Sequence, residues 1–161
     1  LGSLSKSHAM TGYRIGWAIG PEAAITAIGD WSAAALFGVS QFVQDAAIAA
    51  LKLPEAELAA YRQGFAGRAR MLVDRANAIP GLAARMPSGG MFVMLDVRGV
   101  LADDQMFALR LLREAQVAVN PGSMFGQGAA GHVRISLTPD AAVLGEAMDR
   151  IAQFVARISG E

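Results

Sequence analysis

Apolar residues return at helical spacing in two long stretches of this chain. Leu58, Tyr61, Phe65, Leu72, Ala76 and Ile79 lie three, four or seven apart, which predicts one apolar face on a helix opened by Pro54-Glu55 and closed by Pro80-Gly81. A helix of ~25 residues would run ~38 Å, enough to bridge two lobes. Leu144, Met148, Ile151, Val155 and Ile158 mark a second buried stripe, preceded by Thr138-Pro139-Asp140 as N-cap, proline and acid. Between these helices, residues 91–97 read as a strand entered through the Gly89-Gly90 turn. Residues 117–119 and 132–137 read as two more strands, and residues 103–116 as a helix with two acids in its first turn.

Nearer the start, Ile15-Gly16-Trp17-Ala18-Ile19 reads as a short buried strand between Gly12 and Gly20. Gly20-Pro21-Glu22 opens a helix, with proline at the first helical position. Helical composition then continues to about Leu51, broken near Gly38, and Lys52 reads as a solvated helix end. The expected fold class is α/β. Residues 1–65 form part of one α/β layer, and residues 66–161 form a small α+β lobe of three short strands and two or three helices.

Composition removes several function classes. Apolar residues make up 53% of the 161 and charged residues 17%, so the chain can offset its ordering entropy and is not disordered. It has no cysteine, which excludes disulfides, thiolate metal sites and cysteine nucleophiles. Fourteen basic residues balance fourteen acidic ones, an argument against a nucleic-acid or acidic-membrane surface. No apolar run approaches the ~18 residues of a membrane span. Leu-Gly-Ser-Leu-Ser-Lys is neither a signal peptide nor an initiator methionine, so the chain reads as processed or cut. His8 and His132 lack ligand spacing, and no metal site is expected.

The basic residues are twelve arginines and only two lysines, Lys6 and Lys52. Lys6 sits among Gly2, Ser3, Ser5 and Ser7, and Arg14 comes eight residues later, between a glycine and an apolar strand. A lysine held among small residues can lose its proton more readily, which frees its amine for Schiff-base chemistry. An arginine entering a buried strand calls for an anion, and guanidinium suits phosphate. Ser3 and Ser5 can add hydroxyl donors to the same phosphate. Together these groups suggest pyridoxal phosphate.

The stretch resembles the lysine segment of class I/II aminotransferases, the fold-type-I pyridoxal-phosphate enzymes: Ser-x-Ser-Lys, then Gly-x-Arg-x-Gly. Pro87-Ser88-Gly89-Gly90-Met91-Phe92 resembles the family's Pro-x-Gly-Gly strand. Pro121-Gly122-Ser123-Met124-Phe125-Gly126, with Gly131-His132-Val133-Arg134-Ile135-Ser136 after it, resembles its C-terminal motif. The resemblance implies the C-terminal part of the fold-type-I transferase, with residues 1–65 ending the large cofactor-binding domain and residues 66–161 forming the small one. It implies Lys6 as the Schiff-base lysine, Arg14, Ser3 and, more weakly, Ser5 at the phosphate, and Arg134 at the substrate α-carboxylate. It further implies amino acid and 2-oxo acid substrates, a homodimer and a cytoplasmic setting, with no nucleic-acid or membrane partner. The run Ser-Leu-Ser-Lys-Ser-His-Ala-Met-Thr-Gly also looks like that of arginine–pyruvate transaminases.

The family carries its glycine-rich phosphate turn, its ring-stacking aromatic and the partner of the pyridine nitrogen ahead of the lysine, where this chain has five residues. The expected 161-residue piece therefore neither holds the cofactor tightly nor turns over alone. Where relatives have a Thr-Ser-Asn-like segment reaching the other subunit, this chain reads Leu36-Phe37-Gly38-Val39-Ser40-Gln41, with Ser40 as the nearest equivalent. A second class shares the same lysine and arginines: transcription regulators with an aminotransferase-like sensing domain.

Other readings compete at single residues. Ser3-Leu4-Ser5-Lys6 also fits the Ser-x-x-Lys of penicillin-binding enzymes, which needs Ser-Asp-Asn and Lys-Thr-Gly; neither occurs. Gly126-Gln127-Gly128-Ala129-Ala130-Gly131 fits Gly-x-Gly-x-x-Gly, but a strand is expected after it rather than the helix a dinucleotide site requires. Arg134 alone could be half of a buried salt bridge, and Met91 and Phe92 could line the substrate or only fill the core. Arg68, Arg70 and Arg75 read as solvated helix faces.

Overall fold

The computed structural model of the chain describes residues 1–160. These fold as two units, residues 1–61 and residues 62–160.

The first unit is mostly helical. β1 (Gly2–Ser3) pairs antiparallel with β2 (Gly16–Trp17), and α1 (Leu4–Ser7) with a 3-10 turn (Thr11–Tyr13) fills the connection. Three further helices come next: α2 (Glu22–Leu36), α3 (Gln41–Leu51) and the start of α4 (Glu55–Asn77). The break between α2 and α3 is a left-handed pair, Phe37 at φ 59° and Gly38 at φ 123°, which stops a helix because the chain leaves the right-handed well. A small core joins Leu4, Met10, Ala47 and Ala50. The strand expected over residues 15–19 is corrected to Gly16–Trp17, and it is not buried: Trp17 is 45% and Ile19 84% exposed. Both of its residues are exposed, and among the described residues its only strand neighbour is β1. Pro21 stands just before α2 rather than inside it.

The second unit is a four-stranded antiparallel sheet with helices on one face. Its strands are β3 (Ala83–Ala84), β4 (Phe92–Asp96), β5 (Asn120–Pro121) and β6 (His132–Ser136), in the order β3-β4-β6-β5. Strict alternation puts Val93, Leu95, Val133 and Ile135 in the core. Against them pack α4, α5 (Asp104–Ala115) and α6 (Ala141–Ile158), through Leu72, Phe107, Leu111, Met148, Ile151 and Phe154. Phe107 and Phe154 meet edge to face, centroids 5.5 Å apart, the arrangement ring quadrupoles favour. The other sheet face carries Phe92, Met94, Asp96, His132, Arg134 and Ser136, all half-buried.

Three local expectations are corrected. Residues 117–119 form no strand. Gln116 takes the left-handed cap of α5, and the N–H of Val117 returns to the carbonyl of Leu111, so pairing starts only at Asn120, opposite Arg134. The N-cap of α6 is Asp140, whose carboxylate accepts the Val143 N–H at 2.9 Å, while Thr138 bonds the Ser136 hydroxyl instead. β3 has no counterpart among the expected strands. The Asn77 amide pairs with both the N–H and the carbonyl of Ala84 at 2.8 and 3.1 Å, doing for that edge what a further strand would.

Arg68 and Arg75 are likewise not simply solvated. Arg68 donates to the Leu137 carbonyl at 2.7 Å and lies over the Phe65 ring. Arg75 donates to the Gly145 carbonyl and to Asp149. Both tie α4 to the stretch of chain between the end of β6 and the first turns of α6.

Candidate functional site

In the first unit the candidate residues share one fold of backbone. Ser3 is extended and caps α1, its hydroxyl accepting the Ser5 N–H at 3.3 Å. Leu4 is 1% exposed and anchors the turn, its carbonyl accepting from both His8 and Met10. Lys6, on that four-residue helix, is exposed rather than enclosed by the small residues around it. The ladder pairs Ser3 with Gly16, two residues past Arg14, so both ends of the segment return to one place. A Cβ on Gly16 would stand 2.6 Å from the Gly2 carbonyl oxygen, which is why this crossing requires glycine.

Arg14 has φ 52° and ψ 45°, left-handed for a residue with a Cβ. That conformation costs on the order of 1 kcal/mol and persists only where its surroundings impose it, a recurring feature of ligand clamps. Its guanidinium makes a 3.0 Å bond to the Thr11 carbonyl. The expectation that Arg14 is driven into a buried strand does not hold, because that strand is exposed. Ser7 donates to the Ser3 carbonyl at 3.2 Å and lies 2.8 Å from Nδ1 of His8, so these two residues brace the segment.

In the second unit Arg134 sits mid-strand on the open face of the sheet, between Met94 of β4 and Asn120 of β5. Its guanidinium carbon lies 4.1 Å from the centroid of the Phe92 ring and 4.2 Å from that of Phe125. No carboxylate pairs with it among the described residues, so the buried salt bridge considered for it is absent. Phe92 is thereby assigned to the open face, in contact with Arg134, and not to the core.

Two groups of the second unit escape sequence reasoning. Phe125 lies in a motif whose arginine alone draws attention. Asp104 reads as a first-turn acid complementing the helix dipole, yet it is 3% exposed, and its carboxylate accepts from Ser123 and Gly131. The signal is in the spacing: Asp104, Phe107, Ala108 and Leu111 fit the i, i+3, i+4, i+7 pattern of one buried face.

Elsewhere on the open face, Asp96 accepts from the Arg98 side chain at 2.6 and 2.9 Å and from its N–H, with His132 at 3.9 Å. The Arg98 hydrogen bond, partly opposed by desolvation, holds the Asp96 carboxyl down at about 2. Among the described residues no three His, Asp or Glu side chains gather as a metal set, and no helix is long and apolar enough to cross a membrane. A cleft of about 290 Å3 between α6 and residues 117–119 contains none of the candidate residues.

Residues 1–151 match the family model for Aminotransferase class I and II. The chain is 44% identical over 161 residues to arginine–pyruvate transaminase AruH of Pseudomonas aeruginosa, covering 100% of this chain and 41% of that protein. It is 35% identical to the aspartate aminotransferase of Geobacillus stearothermophilus, over 96% of this chain and 40% of the relative. The crystal structure of the aspartate aminotransferase from Rhizobium meliloti superposes with a TM-score of 0.90 at 37% identity, over 97% of this chain and 41% of that one. The chain thus spans about two-fifths of the length of these curated relatives. Its mixed helix-and-sheet architecture is shared with fold-type-I aminotransferases, and the chain belongs to the class I and II aminotransferase family.

Proposed function

We propose that this chain carries the lysine-bearing and carboxylate-binding parts of a pyridoxal-phosphate-dependent aminotransferase, which moves an amino group from an amino acid to a 2-oxo acid. The observation that carries the reading is Arg134: a cation held against two rings on an open sheet face, with no acid of the described chain to neutralise it. A guanidinium so placed suits a planar carboxylate, the one group every amino acid and 2-oxo acid shares.

The donor set of the first unit suits the phosphorylated cofactor. Two hydroxyls, an amine and a guanidinium lie along fourteen residues whose ends pair, and no acid in the described chain bonds to Lys6 or Arg14. Arg14 and the Ser3 and Ser5 hydroxyls would hold the phosphate, and Lys6 the aldehyde carbon. When bound, the cofactor supplies the electron sink for cleavage of the Cα–H bond. Lys6 Nζ would serve as the base that moves the substrate Cα proton. Arg134 would fix the carboxylate bidentately and so set which Cα bond is aligned for cleavage. We place residues 1–65 in the large domain and residues 66–161 in the small one, and propose a cytoplasmic homodimer.

The test is borohydride reduction of the complete enzyme with its cofactor, then peptide mass mapping. A pyridoxyl adduct on Lys6 is expected. An adduct on Lys52, or none, overturns the assignment.

A further inference from the structure

We infer that Asp104 is a positioning residue for the carboxylate grip of Arg134, acting through the loop formed by residues 122–131; the inference rests on the proposed aminotransferase function.

Asp104 is the only buried charged side chain among the described residues. A carboxylate does not stay out of water unless its lone pairs are taken up, and here they are. One oxygen accepts the Ser123 hydroxyl at 2.6 Å; the other accepts the Gly131 N–H at 2.7 Å and the Ser123 N–H at 3.2 Å. Capping does not explain it. Asp103 caps α5, accepting from Gln105 and Met106 at 3.0 and 2.9 Å.

What Asp104 does is close a loop at its mouth. Ser123 and Gly131 stand at the two ends of the segment, and one side chain holds both. At the same mouth a Cβ on Gly122 would come within 2.0 Å of the Ala129 carbonyl oxygen, so the two limbs touch at their backbones. The loop's outer side gives little anchorage: Met124 is 70% and Phe125 49% exposed. Its placement therefore leans on polar bonds at the base: the three to Asp104, the Gln105 side chain donating to the Ser123 hydroxyl oxygen at 3.3 Å, and the Val97 N–H donating to the Gly131 carbonyl at 3.0 Å; of these groups only Asp104 holds both ends. The Gly-x-Gly-x-x-Gly of residues 126–131 belongs to this loop and leads into β6, not into a helix.

Both partners of the grip hang from that base. Phe125 is inside the loop, two residues from Ser123, and its ring lies against the Arg134 guanidinium. Arg134 is three residues beyond Gly131 on the strand the loop feeds. Removing the Asp104 bonds leaves the entry of β6 held only by the Val97 N–H on the Gly131 carbonyl and by the ladder, and loosens the Phe125 ring at the other end of the loop. The guanidinium keeps its charge but loses part of its fixed orientation, and a bidentate pair depends on orientation.

The experiment uses the complete enzyme and four variants: Asp104→Ala, Asp104→Asn, Phe125→Ala and Arg134→Ala. Asp104→Ala is expected to raise KM for amino donor and 2-oxo acid alike by about tenfold, with kcat within about threefold, since the carboxylate is held in ground and transition states. Asp104→Asn keeps an acceptor for both N–H groups and can donate to the Ser123 oxygen, so it should stay within about threefold of the parent. Combining Asp104→Ala with Phe125→Ala should cost no more than the worse single change, as for residues acting through one route. Hydrogen exchange at Ser123 and Gly131 should rise in Asp104→Ala and recover in Asp104→Asn. Unchanged KM values with a lowered Tm mean a merely structural role and overturn the inference. If Arg134→Ala leaves both KM values unchanged, the aminotransferase reading of Arg134 has failed; if it raises them while Asp104→Ala does not, this inference alone has. Should Asp104→Ala not fold, Ser123→Ala takes its place, with a rise of about threefold expected and no change overturning it.

Discussion

Phe92 and Arg134 are diagonal neighbours on adjacent strands. The register pairs Arg134 with Met94, yet its guanidinium carbon reaches back over the Phe92 ring at 4.1 Å. Diagonal pairs in a sheet lie within reach of long and aromatic side chains, and this one turns a solvated sheet position into a prepared cation.

Arg134→Lys keeps the charge and discards the fork. A fall in kcat/KM of about 30-fold or more is expected for the complete enzyme, matching ~2 kcal/mol for a broken charge-assisted pair. Near-parental kinetics for the lysine variant would remove Arg134 from the substrate.

Arg14→Ala tests the phosphate. Cofactor affinity, read by titrating the apo form of the complete enzyme, should fall by about 30-fold or more, because Arg14 would be a charged donor to a dianion. Arg14→Gly relieves the left-handed strain and still loses the affinity, which separates charge from backbone. An unchanged titration curve would assign Arg14 to the backbone turn alone.

Phe107→Ala empties a fully buried site against Phe154. The expected cost is about 3–5 kcal/mol, from lost transfer energy and the cavity left behind. Chemical denaturation compared with the parent reads this directly.

The Asp96–Arg98 pair makes stability depend on acid. The folded-state pKa of Asp96 lies below its ordinary 3.8, at about 2, so the contribution is complete above pH ~4 and drains away as pH falls through ~2. Arg98 is largely exposed, so the contribution is under about 1 kcal/mol. Asp96→Asn should lower Tm slightly at pH 7, with a difference that shrinks towards pH 2 and vanishes only below it. A gap that persists in acid contradicts the linkage.

Asp140→Ala removes the side-chain cap of α6 and is expected to cost about 1 kcal/mol, visible as a lowered Tm. The same size of loss from Thr138→Ala would return the cap to the residue that the sequence favours.

Much of this protein is written in local order. Periodicity locates α4 and α6 and the strands over residues 92–96 and 132–136, because a 3.6 or 2.0 repeat of apolar residues survives whatever packs on it. The lysine segment, the arginine after it and Arg134 are legible as motif chemistry. Three-dimensional closure decided the rest. Pairing with β4 made a strand of Ala83–Ala84 where no alternation existed, with Asn77 bonding the Ala84 backbone. Arg68 and Arg75 became ties between elements only because carbonyls 69 and 70 positions away came within reach. Asp104 could be buried because Ser123 and Gly131 were folded against it from 19 and 27 residues on. Local sequence sets a residue's propensity and its face; which polar atom meets a buried charge is fixed only when distant segments close around it.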